Sequence, residues 1–169
     1  MEKEFPVRKD IRLQGHDYSS AGKYFVTICV KDRHELLGKV LVGDAPLRVP
    51  HCTLSEYGTF IDTQIRKISS IYPEAFVDTY VIMPNHIHMI VSITGTGIGG
   101  TRRGASPTKA FIPRIVQSLK SITTKQFGFN IWQRSYHDHI IRDEADYRKI
   151  WQYIDENPQK WADDCYYTV

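Results

Sequence analysis

The alternation of apolar and polar side chains predicts a chain of seven elements. The run Tyr24-Phe25-Val26-Thr27-Ile28-Cys29-Val30 is aromatic and β-branched and follows the turn-forming Ser19-Ser20-Ala21-Gly22, so it predicts a first strand. From Leu54 the apolar positions Tyr57, Ile61, Ile65, Ile68 and Tyr72 recur every three or four residues, a helical period that Pro73 closes. Residues 76–83 and 86–93 read as two strands of a hairpin, with Pro84-Asn85 as the turn between them. The helical period restarts at Phe111, Ile115, Leu119 and Ile122. Residues 131–142 read as a further strand and residues 144–157 as a last helix stopped by Pro158. The order β-α-β-β-α-β-α predicts an α+β fold of the ferredoxin-like, split βαβ kind: an antiparallel sheet with one added C-terminal helix. Residues 35–50 have room for an extra hairpin before the first helix.

Composition narrows this picture in a few places. A length of 169 residues supports one domain with one sizeable core. Hydrophobic residues make up 41% and charged residues 24%, as in ordinary globular proteins, and no apolar run approaches the roughly 20 residues of a membrane span. Acids at Glu2 and Glu4 stand where an export signal carries bases, so a cytoplasmic protein is expected. Cys29, Cys52 and Cys165 have no paired spacing and are expected to be free thiols. Residues 94–109 form a Gly-rich stretch expected to be a mobile loop. The segment 100–142 holds eight Lys or Arg against one acid, Asp138, which makes either a solvated helix face or a nucleic-acid surface.

The candidate chemistry sits on the strand 86–93 and the last helix. Ile87, Met89, Val91 and Ile93 alternate with His86, His88, Ile90 and Ser92, so both imidazoles project from one face of the strand. Two imidazoles at that spacing can share a divalent ion, and they also fit a plain pair of surface histidines. On the last helix, Tyr153 and Asn157 are four residues apart and share a face at the border of the apolar stripe Tyr147, Ile150, Trp151 and Ile154. That border is where a cleft residue belongs, although a boundary aromatic and a helix-ending Asn would look the same.

Together these features resemble a known family. A His-x-His strand followed by a helix carrying Tyr-x-x-x-Asn is similar to the HUH-type single-tyrosine transposases of the IS200-like superfamily, in the branch of REP-associated tyrosine transposases. The likeness extends over about residues 17–161 through Tyr24-Phe25-Val26-Thr27, Val81-Ile82-Met83-Pro84-Asn85-His86-Ile87-His88, Ile131-Trp132-Gln133-Arg134-Ser135-Tyr136 and Tyr153-Ile154-Asp155-Glu156-Asn157-Pro158. The resemblance implies that His86, His88 and Asn157 bind a divalent metal, Mg2+ or Mn2+, and that Tyr153 attacks a DNA phosphate. It further implies single-stranded or hairpin-forming repeat DNA as the substrate, a 5′-phosphotyrosine intermediate, a nucleoid-associated location and a possible homodimer. Insertion-sequence relatives have glutamine where this chain has Asn157, which shortens the reach by one methylene. The Gly-rich loop after Ile93 is a second departure from the compact members.

Charge and exposure nominate the DNA contacts. Arg102, Arg103, Lys109, Arg114, Lys120 and Lys125 are candidates to neutralise phosphates, and Trp132 or Tyr136 to stack a base, with core packing the expected role for at least one of the two aromatics. His137 and His139 form a second His-x-His, read as polar strand residues. Three alternatives stand beside the transposase reading. One is a nucleic-acid binding module of the same fold, another a domesticated hairpin-binding protein without transposition activity. The third is a zinc hydrolase using His86, His88 and either His137 or His139.

Overall fold

The computed structural model describes residues 21–41, 51–94 and 111–167. Ten elements run along it: β1 (Gly22–Cys29), β2 (Gly38–Leu41), β3 (His51–Leu54), α1 (Glu56–Arg66), α2 (Ile68–Ile71), β4 (Ala75–Ile82), β5 (His86–Ile93), α3 (Phe111–Phe127), β6 (His137–Ile141) and α4 (Glu144–Glu156). Arg102, Arg103, Lys109 and almost all of the Gly-rich stretch lie outside the described residues.

Four strands form one sheet in the order β4-β5-β1-β6, every neighbouring pair antiparallel. This is the expected ferredoxin-like order, with β5 inserted between β1 and β4. The extra hairpin is present as the pair β2 and β3. Its intervening residues 42–50 lie outside the described residues. The first face of the sheet follows from period-two alternation: Tyr24, Val26 and Ile28 of β1 join Ile87, Met89, Val91 and Ile93 of β5 in a core roofed by α1 and by Ile112, Ile115, Val116 and Leu119 of α3. The opposite face packs Phe25, Val81, Ile90 and Ile141 against Tyr147, Ile150 and Ile154 of α4. Strand β5 is thus covered on both sides, and α4 lies over the face that carries His86 and His88.

Element boundaries depart from the periodic reading where polar chemistry intervenes. Leu54 ends β3 instead of opening the helix, because Ser55 caps α1: its Oγ accepts from Gly58 N at 3.2 Å and donates to Leu36 O at 2.6 Å. The expected single helix over 54–72 divides at Lys67, whose N–H bonds to the carbonyls of Gln64 and Ile65 and tightens the turn. Strand β6 is shorter than the expected 131–142. Trp132 makes only a single bridge to Val30, and Lys31 N and Gln133 N bond to Ile131 O and Cys29 O. Trp151, placed on the apolar stripe of the last helix, is 39% exposed.

A bulge ties α4 to the sheet. The β4–β5 register shifts between Val77 and Thr79, leaving Asp78 as the extra residue. Its Oδ2 accepts from Lys23 Nζ at 2.6 Å, Ser92 Oγ at 2.9 Å and Tyr147 OH at 3.1 Å. Asp143 caps the start of α4 by accepting from Asp146 N at 2.8 Å, so the helix is anchored at its cap and along its buried face.

Gly58 of α1 runs against the loop before β2. A Cβ there would collide with the Leu37 carbonyl oxygen and stand 3.2 Å from Leu54 Cβ. Ala gains about 1 kcal/mol of helix propensity over Gly. We expect the collision to outweigh this, so that Gly58→Ala lowers the urea-unfolding free energy by about 1–3 kcal/mol; unchanged or greater stability would show that α1 shifts freely.

Candidate active site

His86 and His88 leave β5 on the face covered by α4, as the alternation requires, and both are essentially fully buried at 0% and 1% exposure. Their ring centroids are 4.4 Å apart. A buried imidazole needs partners for its ring nitrogens, and a neighbouring side chain supplies one to each. Asn85 donates both amide hydrogens, to Arg33 O at 3.2 Å and Tyr166 O at 2.8 Å, which turns its Oδ1 toward His86 Nδ1 at 2.9 Å. An oxygen that only accepts requires Nδ1 to carry the proton, leaving Nε2 with a bare lone pair. That Nε2 is buried and has no hydrogen-bond partner. His88 is held from β1: its Nδ1 lies 2.8 Å from Thr27 Oγ1, a hydroxyl that can donate or accept, and its Nε2 points toward α4.

The tyrosine helix meets this pair within the same chain. Tyr153 OH is 3.2 Å from His88 Nε2 and donates to Asp164 Oδ2 at 3.2 Å. Asn157 caps the end of α4 and is 2% exposed; its Nδ2 donates to Asp164 Oδ2 at 2.6 Å, while its Oδ1 is a second buried atom without a partner. The four residues singled out from sequence are therefore gathered in one place.

The fifth member was not foreseen. After α4 the chain turns through Trp161–Asp163 and lays residues 164–167 back across the site. Trp161 is buried with its ring 5.9 Å from that of His86, and Tyr166 covers the same imidazole at 4.5 Å. Arg33 donates to Cys165 O at 2.9 Å from a left-handed backbone, φ +57° after Asp32 at +55°, an uncommon pair for non-glycine residues. His86, His88 and Asp164 offer ligand atoms within 4.8 Å of one another, and no other such trio occurs among the described residues. Asp164 stands in an acidic stretch with no period or motif around it, so nothing in the sequence distinguishes it from Asp163.

Burial governs the protonation of the site. It pulls His86 down to about 4 and His88 well below its ordinary value, the latter helped by His86, so both rings are neutral near pH 7. Burial first, then the Asp164 charge and hydrogen bond, push the Tyr153 phenol far above its ordinary value and keep it protonated. Neutral imidazole lone pairs, an amide oxygen and a carboxylate together can hold a divalent cation, and the unpartnered Nε2 and Oδ1 atoms fit that reading.

The proposed DNA contacts fare unevenly. Trp132 is 1% exposed and donates its indole N–H to Thr123 Oγ1 at 2.7 Å, so it is a core residue and does not stack bases. Tyr136 packs against the same core. Lys120 is not a free outward cation: its ammonium donates to Gln133 O at 2.8 Å and Ser135 O at 2.7 Å, and burial lowers its pKa to about 8. Arg114 and Lys125 are exposed on α3, which packs on the sheet face opposite the histidines. His139 pairs with Asp146 at 2.8 Å, and neither it nor His137 joins the trio.

The chain matches no protein-family model. A Haemophilus influenzae protein without an assigned function is 33% identical over 175 residues, spanning 95% of this chain and 93% of its own. A second protein of the same organism, provisionally named a REP-associated tyrosine transposase, is 25% identical over 85% of this chain and 74% of its own. A solved REP-associated tyrosine transposase bound to a REP hairpin shares the fold, with a TM-score of 0.61 over 89% of this chain and 74% of that one at 22% identity. In sequence and fold the chain is similar to REP-associated tyrosine transposases. That similarity supports a transposase-like, DNA-processing function, and no helix among the described residues is long and apolar enough to cross a membrane. In this chain the buried histidine pair, Tyr153 and the returning C-terminal segment form one continuous cluster.

Because His86 is neutral when folded down to about pH 4 and titrates near its ordinary value when unfolded, the unfolded chain binds more protons between those values. Metal-free protein is therefore expected to lose stability as pH falls from about 6.5 to 4, by up to about 1.4 kcal/mol per pH unit for one such group. Thermal melts across that range check this. An equal slope in His86→Gln would assign the loss to other groups.

Proposed function

We propose that the protein is a metal-dependent DNA strand transferase that cuts single-stranded, hairpin-forming DNA with Tyr153 as nucleophile. The observation that carries this reading is the 3.2 Å approach of Tyr153 OH to His88 Nε2, beside the bare, buried Nε2 of His86. His86, His88 and Asn157 would hold the divalent ion. Such an ion, when bound, supplies a positive charge that draws electron density from a phosphate oxygen and stabilises the crowded transition state.

The remaining work belongs to the protein. Thr27 and Asn85 orient the two imidazoles through their Nδ1 atoms, as outer-shell partners of ligating histidines do. Helix α4 presents the Tyr153 hydroxyl beside that pair, and the Phe25 ring, 6.2 Å from Tyr153 and 5.2 Å from His88, closes the apolar side. As the phenol oxygen bonds to phosphorus its proton is lost to solvent, and the bond to the 3′ oxygen breaks, that oxygen taking a proton from solvent to leave a 3′-hydroxyl. The phosphotyrosine keeps the energy of the broken ester, so rejoining to a new 3′-hydroxyl needs no nucleotide cofactor. Hairpin DNA as the substrate is supported by the REP hairpin seen with the solved relative.

The test is covalent capture. Incubated with Mn2+ and hairpin-bearing single-stranded DNA, the wild-type chain is expected to form an adduct that resists denaturing gel electrophoresis. Tyr153→Phe is expected to form none while still binding the DNA. An adduct that persists in Tyr153→Phe removes Tyr153 from this role; free 5′-phosphate ends without an adduct point to hydrolysis by activated water instead.

A further inference from the structure

Resting on the metal-site reading above, we infer that the C-terminal segment is part of the catalytic centre: Asp164 is a protein ligand of the ion, and its capture by the ion releases Tyr153. The argument begins from which atoms hold the Tyr153 hydroxyl. They are His88 Nε2 and Asp164 Oδ2, each at 3.2 Å. The same two side chains, with His86, are the trio whose ligand atoms lie within 4.8 Å of one another. One set of atoms therefore has two uses that exclude each other. When His88 Nε2 and Asp164 are engaged by a cation, neither is available to hold the phenol in its protonated, hydrogen-bonded state.

Asn157 is linked to the same exchange. Its Nδ2 donates to Asp164 Oδ2 at 2.6 Å, and its Oδ1 is buried without a partner. A carboxylate and an amide whose side chains are bonded in this way bring hard oxygen donors to the site, which two imidazoles alone would not supply. The segment that carries Asp164 is built to hold it there. Asp164 Oδ1 accepts from Tyr166 N at 2.7 Å, Tyr166 O accepts from Asn85, and Cys165 O accepts from Arg33. Asn85, which sets the tautomer of His86, thus also pins the strand of chain that brings in the carboxylate.

Direct Mn2+ binding to the full-length, metal-free chain tests this without reference to activity, with free Mn2+ read by its paramagnetic resonance signal. Asp164→Asn, which keeps the shape and one acceptor oxygen, is expected to weaken Mn2+ binding by at least about tenfold, as losing a ligand should cost no less than losing an outer-shell partner. Asp163→Asn removes the same charge from the exposed neighbouring position and is expected to leave affinity unchanged. Amide exchange in residues 161–167 is expected to slow on Mn2+ addition in the wild type and not in Asp164→Asn. The inference is overturned if Asp164→Asn binds Mn2+ as tightly as the wild type or more tightly, since the segment is then only a cover. It is equally overturned if Asp163→Asn weakens binding to the same degree, or if Mn2+ leaves exchange in the segment unaltered. An affinity that His86→Ala leaves intact, or a wild type that takes up no Mn2+, instead defeats the underlying histidine-site reading and this inference with it.

Discussion

Two imidazoles inside a sheet are tolerated only if something satisfies their ring nitrogens, and much of the arrangement around β5 answers that demand. Position 86 is met by the side chain that precedes it, and position 88 by a threonine on the neighbouring strand. Both contacts spend the Nδ1 atoms and leave the Nε2 atoms facing α4. The register of β1 against β5, which sets Thr27 opposite His88 and Cys29 opposite His86, is therefore part of the chemistry as well as the fold. A slip of one residue would send both histidines into the core roofed by α1 and α3.

What the sequence made legible was whatever depends on period. Alternation along 86–93 places the histidines on one face, and the four-residue spacing of Tyr153 and Asn157 brings them toward that face together. Strand order follows because short connections and an antiparallel hairpin leave few alternatives. Boundaries were harder, because caps and bulges are made by single polar side chains: Ser55 delays α1 and Asp78 shifts a register without disturbing the hydrophobic count. Trp132 shows a different limit. An aromatic in a strand-like run fits a base-stacking surface or a core equally well, and its full burial and the indole bond to Thr123 distinguish them.

Asp164 and Arg33 were illegible for a further reason. Their importance comes from a return of the chain that no local pattern encodes. The turn after Asn157 is fixed by consecutive backbone bonds, and the tail it directs is held by the carbonyls of Cys165 and Tyr166, atoms that every residue possesses. The left-handed backbone at Asp32 and Arg33 belongs to the same class. Neither residue type announces it, and the strained pair persists because the surrounding sheet end and tail over-determine it.

The join between β6 and α4 has its own consequence. Only Arg142 and Asp143 separate the last strand residue from the first helical one, and Asp143 is already committed as the cap. A link this short reaches only about 3.3–3.6 Å per residue, so the start of α4 stays close to the end of β6 while β6 is paired to β1. The Tyr153 hydroxyl is therefore kept beside the histidine pair by the sheet itself, and whatever it meets must come to it.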